Sequence, residues 1–408
     1  MKKDRSSGIT LVALVVTVVV LLILAGVALN LVLGNNGILN KAKDASQEHK
    51  QASENEQKEL ENTGDFISES VANLPKTDET KPYLPGSDFK QVAGTNLNSG
   101  LVIEDGSGNQ YVWIEVPKTA EVYPTATLDL NFSTLTGEAL TNAYTAIEND
   151  LHKYTDYYRN GTSFTDTWYS EAQTGLTETQ YYKLKQKMLK SVYENGGFWI
   201  GRYETGIEQT DVKGYRNYGT DYNTEHPIEQ TPVIKANAYP YNWVRCSQAQ
   251  TLASSMNSGN YTSSLMFGVQ WDLVMKFLET KQVASQDDLR QDSTEWGNYY
   301  DNTYNINQLN AKQSSDDGAN WSVAQNKTES GSIFLTTGAS EEFNKMNIYD
   351  LAGNVWEWTL EYTSDSSSPC ARRGGDCDSN GSKYPASYRK GNGATHSVGG
   401  IGFRVSLY

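Results

Sequence analysis

The sequence predicts an α+β domain carried behind a long apolar N-terminal helix. Three observations predict it. Ile9–Leu33 contains no charged residue. From about residue 91 onward, short strand-like runs rich in Val, Ile, Tyr and Trp are broken by Gly and Asn and mixed with amphipathic helical stretches. The 9 Trp and 26 Tyr can furnish a sizeable core or a contact surface.

The N-terminal element comes first. MKKDRSSG is short, polar and basic, and Ile9–Leu33 follows it directly. At 1.5 Å rise per residue this run exceeds the roughly 30 Å hydrocarbon core of a bilayer. Lys2, Lys3 and Arg5 precede it, which places the N-terminus inside and the rest of the chain outside. A cleaved secretory signal would have a shorter apolar run with its cleavage site behind it. Here the small residue, Gly8, lies in front. After Gly34-Asn35-Asn36-Gly37, residues 38–62 are rich in Lys, Glu, Gln and Ala and read as a solvated helical stalk. Residues 63–90, with Pro75, Pro82 and Pro85, read as a linker.

Within 91–408, Leu101-Val102-Ile103 and Tyr111–Ile114 flank EDGSGNQ and predict a hairpin. Gly197–Glu204 reads as a buried strand. YKLKQKMLKSVYE (182–194), Ser247–Met256 and Gln270–Leu278 read as helices.

Composition narrows the function. The net charge of -15 argues against nucleic acid, whose binders need a basic patch to displace phosphate counterions. The four histidines (His49, His152, His226, His396) are scattered without metal-ligand spacing, and no phosphate loop or Gly-x-Ser-x-Gly elbow occurs. Three cysteines cannot all pair within one chain; Cys370 and Cys377 are near enough in sequence to bridge, and nothing in the sequence decides whether they do.

Two resemblances sharpen these readings. The order Gly8, then Ile9 opening an apolar helix, resembles type IV prepilins and pseudopilins, which implies cleavage between Gly8 and Ile9 by a prepilin peptidase and contact with other pilin subunits. Those proteins usually carry Glu at the fifth mature position; here it is Ala13, which puts polymerisation in question. Further on, GNQYVWIEV, GFWIGRYE, GVQWDLVMKFL, NIYDLAGNVWEWT (347–359), RRGGD (372–376), PASYR (385–389) and IGFRVSL (401–407) occur in the order seen in the formylglycine-generating-enzyme/sulfatase-modifying-factor family. That resemblance implies a C-type-lectin-like domain over 91–408, with an insertion at about 119–195. The whole chain is then a leader (1–8), a transmembrane and stalk helix (9–62), a linker (63–90) and this α+β domain.

Members of that family that oxidise a substrate cysteine use two cysteines shortly after Arg-Gly-Gly. Those positions fall on Ser379 and Tyr384 here, and a hydroxyl cannot replace a redox thiol or a soft-metal thiolate. The expectation is therefore no enzyme. The family's motif also implies Ca²⁺ held by the side chains of Asp350 and Glu357 and the carbonyls of Gly353 and Val355, a hard-oxygen set. The alternative is that both carboxylates simply accept bonds from loop amides. Trp356 and Trp358 are expected in the core, and Arg404 as a bracing ion-pair residue.

The segment 376–400, DCDSNGSKYPASYRKGNGATHSVGG, is dominated by small polar residues. By itself it reads as a surface loop. It is similar to the variable stretch that ends the diversity-generating-retroelement target proteins, in which adenine-bearing template codons are rewritten. Asp, Cys, Ser, Gly, His, Val and Ala are all reachable from Asn or Tyr codons that way; Lys383 and Lys390 are not, and would be fixed. This implies a ligand-binding face of Asp376, Cys377, Asp378, Ser379, Asn380, Gly391, Asn392, Gly393, Ala394, His396, Val398, Gly399 and Gly400. Its ligand (protein, glycan or phage) is left open, and the chain is expected at the cell surface or on a pilus.

Overall fold

The computed structural model describes residues 15–24, 47, 50, 51, 74, 77, 79–159, 161–208, 223, 225–256 and 261–408. They divide into two compact units, Met1–Ser68 and Glu69–Tyr408. In the first unit, residues 15–24 are helical and Val15, Leu22 and Leu24 are exposed. Among the described residues no helix is long and apolar enough to cross a membrane. Most of the expected span Ile9–Leu33 lies outside them, as do Gly8, Ile9, Ala13 and nearly all of the stalk.

The second unit is built on two sheets. Strands β1 (Lys90–Gln91), β2 (Val102–Glu104), β3 (Gln110–Glu115), β4 (Gly197–Gly201) and β5 (Ser263–Leu265) join the C-terminal strand β10 (Val405–Leu407) in the order β1-β2-β3-β4-β10-β5. The second sheet has the order β8-β7-β6-β9, with β6 (Trp356–Tyr362), β7 (Cys370–Arg373), β8 (Arg389–Asn392) and β9 (Ile401–Phe403). β6 runs antiparallel to β7 and parallel to β9. β9 and β10 are separated only by Arg404, so one continuous C-terminal segment stitches the sheets together. The expected hairpin and the strand at Gly197 are both present.

Helix Glu178–Asn195 begins at a capping box, with Thr177 Oγ1 accepting from the Gln180 amide at 3.3 Å and Gln180 Oε1 accepting from the Thr177 amide at 2.9 Å. Helix Gly268–Thr280 is capped from outside: Asp166 accepts from the Gly268 and Val269 amides at 2.6 and 2.8 Å. Asp166 belongs to the stretch expected as an insertion, which therefore clamps a helix of the domain instead of hanging from it. Helix Gly137–Tyr154 joins the same assembly through Glu148–Lys185 at 2.8 Å. Residues 79–90, read from sequence as the end of a linker, also lie inside this unit. Leu84 and Phe89 are buried, and Trp199 Nε1 donates to the Tyr83 carbonyl at 3.1 Å. Their prolines suggested a spacer, but their apolar residues pay into the shared core.

Candidate functional site

Alternation along a strand sends successive side chains to opposite faces, and Arg372 and Arg373 use both faces of β7. Arg373 pairs across the sheet with Arg389, and Arg372 with Lys390.

On the inner face, three arginines converge on two carboxylates. Arg373 reaches Asp272 at 2.8 Å and Glu361 at 3.1 Å. Arg389 reaches Glu361 at 2.7 Å and also binds Asp272. Arg159, from the expected insertion, reaches Asp272 at 2.7 Å. Arg373, Asp272 and Glu361 are wholly buried. Deleting one partner from such a cluster strands a buried charge, at a cost of about 3–5 kcal/mol. The inner face is a brace.

The outer face differs. The Arg372 guanidinium lies 4.7 Å from the Trp356 ring centre. Lys390 Nζ lies 4.8 Å from the Tyr384 ring centre and 5.8 Å from that of Trp356, and Lys383 Nζ lies 5.1 Å from that of Tyr384. Trp356, Tyr384 and Tyr388 meet edge to face. Burial pushes the Arg372 guanidinium down to about 10, and its Nε has no hydrogen-bond partner among the described residues. Burial would raise the Tyr384 phenol, but the Lys383 and Lys390 ammonium groups bring it below its ordinary value. Burial, and then Arg372, lower His396.

The 376–400 segment is framed at both ends by the Gly353–Trp356 turn. The Cys377 amide donates to the Asn354 carbonyl at 3.1 Å, and the Trp356 amide donates to the Gly400 carbonyl at 2.8 Å. A side chain added at Gly400 would meet Asp376 Oδ2 at 2.5 Å, so the two ends touch. Between these pins, Asp378, Asn380, Gly391, Gly393, Ala394, His396, Val398 and Gly400 are exposed or half-buried. Asp376, Cys377, Ser379, Asn392 and Gly399 are buried, and so serve as framework in this arrangement. Ser379 Oγ donates to Asp376 Oδ1 at 2.5 Å, while burial pushes the Asp376 carboxyl up to about 6. Asn242 Nδ2 donates to the Gly399 carbonyl at 2.6 Å. The segment is an anchored loop with a strand, β8, inside it.

The residues expected to hold Ca²⁺ are arranged differently. Glu357 receives Arg404 Nε on both carboxylate oxygens at 3.1 Å, and Nη2 on Oε1 at 2.7 Å. Asp350 accepts the Gly338 amide at 2.6 Å. Glu204 joins them, accepting from Asn354 Nδ2 at 2.6 Å and from the Val355 amide at 3.2 Å. Burial raises all three carboxyls, Asp350 to about 7. A cation would have to displace the guanidinium that already occupies Glu357. As arranged, Glu357 sits in a buried ion pair and Asp350 accepts a loop amide, the alternative that the sequence left open for Asp350. Arg404 is thus the expected brace, and Trp356 and Trp358 are in the core as expected.

Elsewhere, Glu148, His152 and Asp166 bring three potential ligand atoms within 4.8 Å of one another. Lys185 on Glu148 and the two helix amides on Asp166 occupy the carboxylates, while His152 Nε2 lies 3.5 Å from Asp166 Oδ2. All three cysteines are free and buried. Cys370 Sγ faces the Ala172 carbonyl at 3.2 Å and Cys377 Sγ faces Ser332 Oγ at 3.5 Å, so the bridge left open by the sequence is not formed.

The sulfatase-modifying factor enzyme 1-like domain family matches residues 171–407, more than half of the chain. This chain belongs to that family. No curated protein matches. Among solved structures, Treponema denticola variable protein 1 is similar over 52% of this chain and 84% of its own, at 13% identity and a TM-score of 0.27. At the positions of the sulfatase-modifying-factor cysteines, Ser379 is bonded to Asp376 and Tyr384 is packed among cations. The one nearby thiol, Cys377, is buried and pushed well above its ordinary value by burial and Asp376. Such a thiol is a poor nucleophile.

Sequence reasoning missed three participants. Arg372 lay inside RRGGD but was not read as surface, because β7 register was unknown, and Tyr384 was read only as the place of a missing cysteine. Glu204 closed the GRYE motif without any sign that it would meet residues about 150 positions later.

Proposed function

We propose that this chain is a non-catalytic, ligand-binding member of its family, displayed outside the cell by the pilin-like N-terminus. The observation that carries the reading is the anchored 376–400 loop. Its ends are pinned to one turn, its buried residues are bonded into the frame, and Asp378 and Asn380 are exposed while Gly393 and His396 are half-buried. A rigid frame with freely replaceable outward residues separates stability from specificity. The retroelement-type composition of that loop adds to it. On this reading a prepilin peptidase cuts between Gly8 and Ile9, the apolar run holds the chain in the membrane, and other pilin subunits are its neighbours, with Ala13 favouring a minor or tip position.

The chemistry of the loop also favours binding over oxidation, since Ser379 and Tyr384 supply no thiols. The test incubates the full chain with a cysteine-containing peptide and Cu(I) under oxygen, followed by mass spectrometry. The expected result is an unchanged peptide. Conversion of its cysteine to formylglycine would overturn the non-catalytic reading.

A further inference from the structure

Arg290, Arg372, Lys383 and Lys390 form no ion pair among the described residues; their contacts are with aromatic rings, Arg290 with Tyr157 at 4.6 Å. In a chain of net charge -15, Arg372, Lys383 and Lys390, unmatched and gathered about Trp356 and Tyr384, are a local reversal of potential. Arg372 and Lys390 are direct cross-strand partners, a like-charge pairing that costs stability. Asp376, the acid that acts on Arg372 and Lys390, is buried and already bonded to Ser379.

Next to these cations, β8 is the outer strand of its sheet, with only β7 beside it. A groove of about 350 Å³ adjoins it, lined by Gly161–Phe164, Arg290 and Ser387–Arg389. An edge strand carrying lysine ordinarily repels an added strand. It repels an acidic one least.

We propose that this edge and groove take an acidic peptide segment as an added strand, its carboxylates meeting Arg372, Lys383 and Lys390, and Arg290 across the groove. The inference rests on the ligand-binding reading and names the class of ligand. Main-chain bonds to β8 supply affinity, and the cations select against neutral and basic strands. Lys383 and Lys390 hold the acidic residues, while the exposed Asp378 and Asn380 adjust the fit.

The test uses the detergent-solubilised full chain and fluorescein-labelled poly-L-glutamate, read by anisotropy. Binding is expected at low salt and weakens as salt rises. It should fall about tenfold or more in the Lys383→Gln/Lys390→Gln double variant. Lys90→Gln, whose side chain pairs with Glu104 at 3.3 Å, should bind as the parent does. Equal thermal midpoints show that the double variant is folded. Amides of Arg389–Asn392 should gain hydrogen-exchange protection when poly-glutamate is added. No binding at low salt, unchanged binding in the double variant, or preference for dextran sulfate over poly-glutamate would overturn the proposal. If poly-glutamate fails while a neutral peptide binds and is lost on replacing 376–400 by Gly/Ser, the acidic-ligand inference falls and the ligand-binding reading stands.

Discussion

Asp350 shows how a single residue can be conspicuous in the sequence while its partners are not. Its place in the Asn347–Thr359 motif marked it as special, yet its partners come from Gly338 and from the neighbourhood of Glu204 and Arg404, which no local pattern reveals. Burial raises its carboxyl to about 7. Between the ordinary carboxylate range and that value, the folded chain holds a proton that the unfolded chain has released. Stability from this group is therefore greatest in acid and falls as pH rises through about 7. Asp376, raised to about 6, adds a fall in the same direction. Asp350→Asn keeps an acceptor for the Gly338 amide, and asparagine tolerates the backbone φ of 57° found there. The substitution should flatten the decline, stabilising the protein by about 1 kcal/mol or more at pH 8. Thermal midpoints measured from about pH 5 to pH 8 check it; parallel curves for variant and parent would contradict it.

At the scale of elements, the sequence was legible wherever local periodicity decides. The β2–β3 hairpin, the strand at Gly197 and the helices near 182, 247 and 270 all fall where the patterns put them. What stayed hidden was the division of labour across β7. Arg372 and Arg373 are adjacent and chemically alike, but one closes a buried cluster and the other faces outward, a difference fixed only by register. The insertion was equally opaque, since the bonds from Asp166 to a helix start about 100 residues later are tertiary. The turn that pins the 376–400 segment offers a direct test. Gly353 has φ of 77°, and a side chain there would meet the Asn298 carbonyl oxygen at 2.2 Å. Gly353→Ala should cost roughly 2–4 kcal/mol, combining left-handed strain with a backbone clash. Urea unfolding measures it; a loss under about 0.5 kcal/mol would mean the turn is not the rigid anchor described here.

For the molecule as a whole, Met1–Ser68 and Glu69–Tyr408 are separate compact units, and residues 79–90, read from sequence as linker, belong to the second. The family's order of motifs carried the fold. Function was harder, because exposed small residues look alike whether they form a loose loop or a recognition surface; only the pinning of both ends to Asn354 and Trp356 separates the two. The central claim is that outward residues of this loop can change while the frame holds. The most direct measurement is a library randomised at Asp378, Asn380, Gly393 and His396 and selected against a defined protein such as lysozyme. The account predicts lysozyme-specific clones whose unfolding free energies stay within about 0.5 kcal/mol of the parent, as for substitutions away from structural anchors. A library whose members mostly fail to fold, or fold but yield no specific binder, would contradict it.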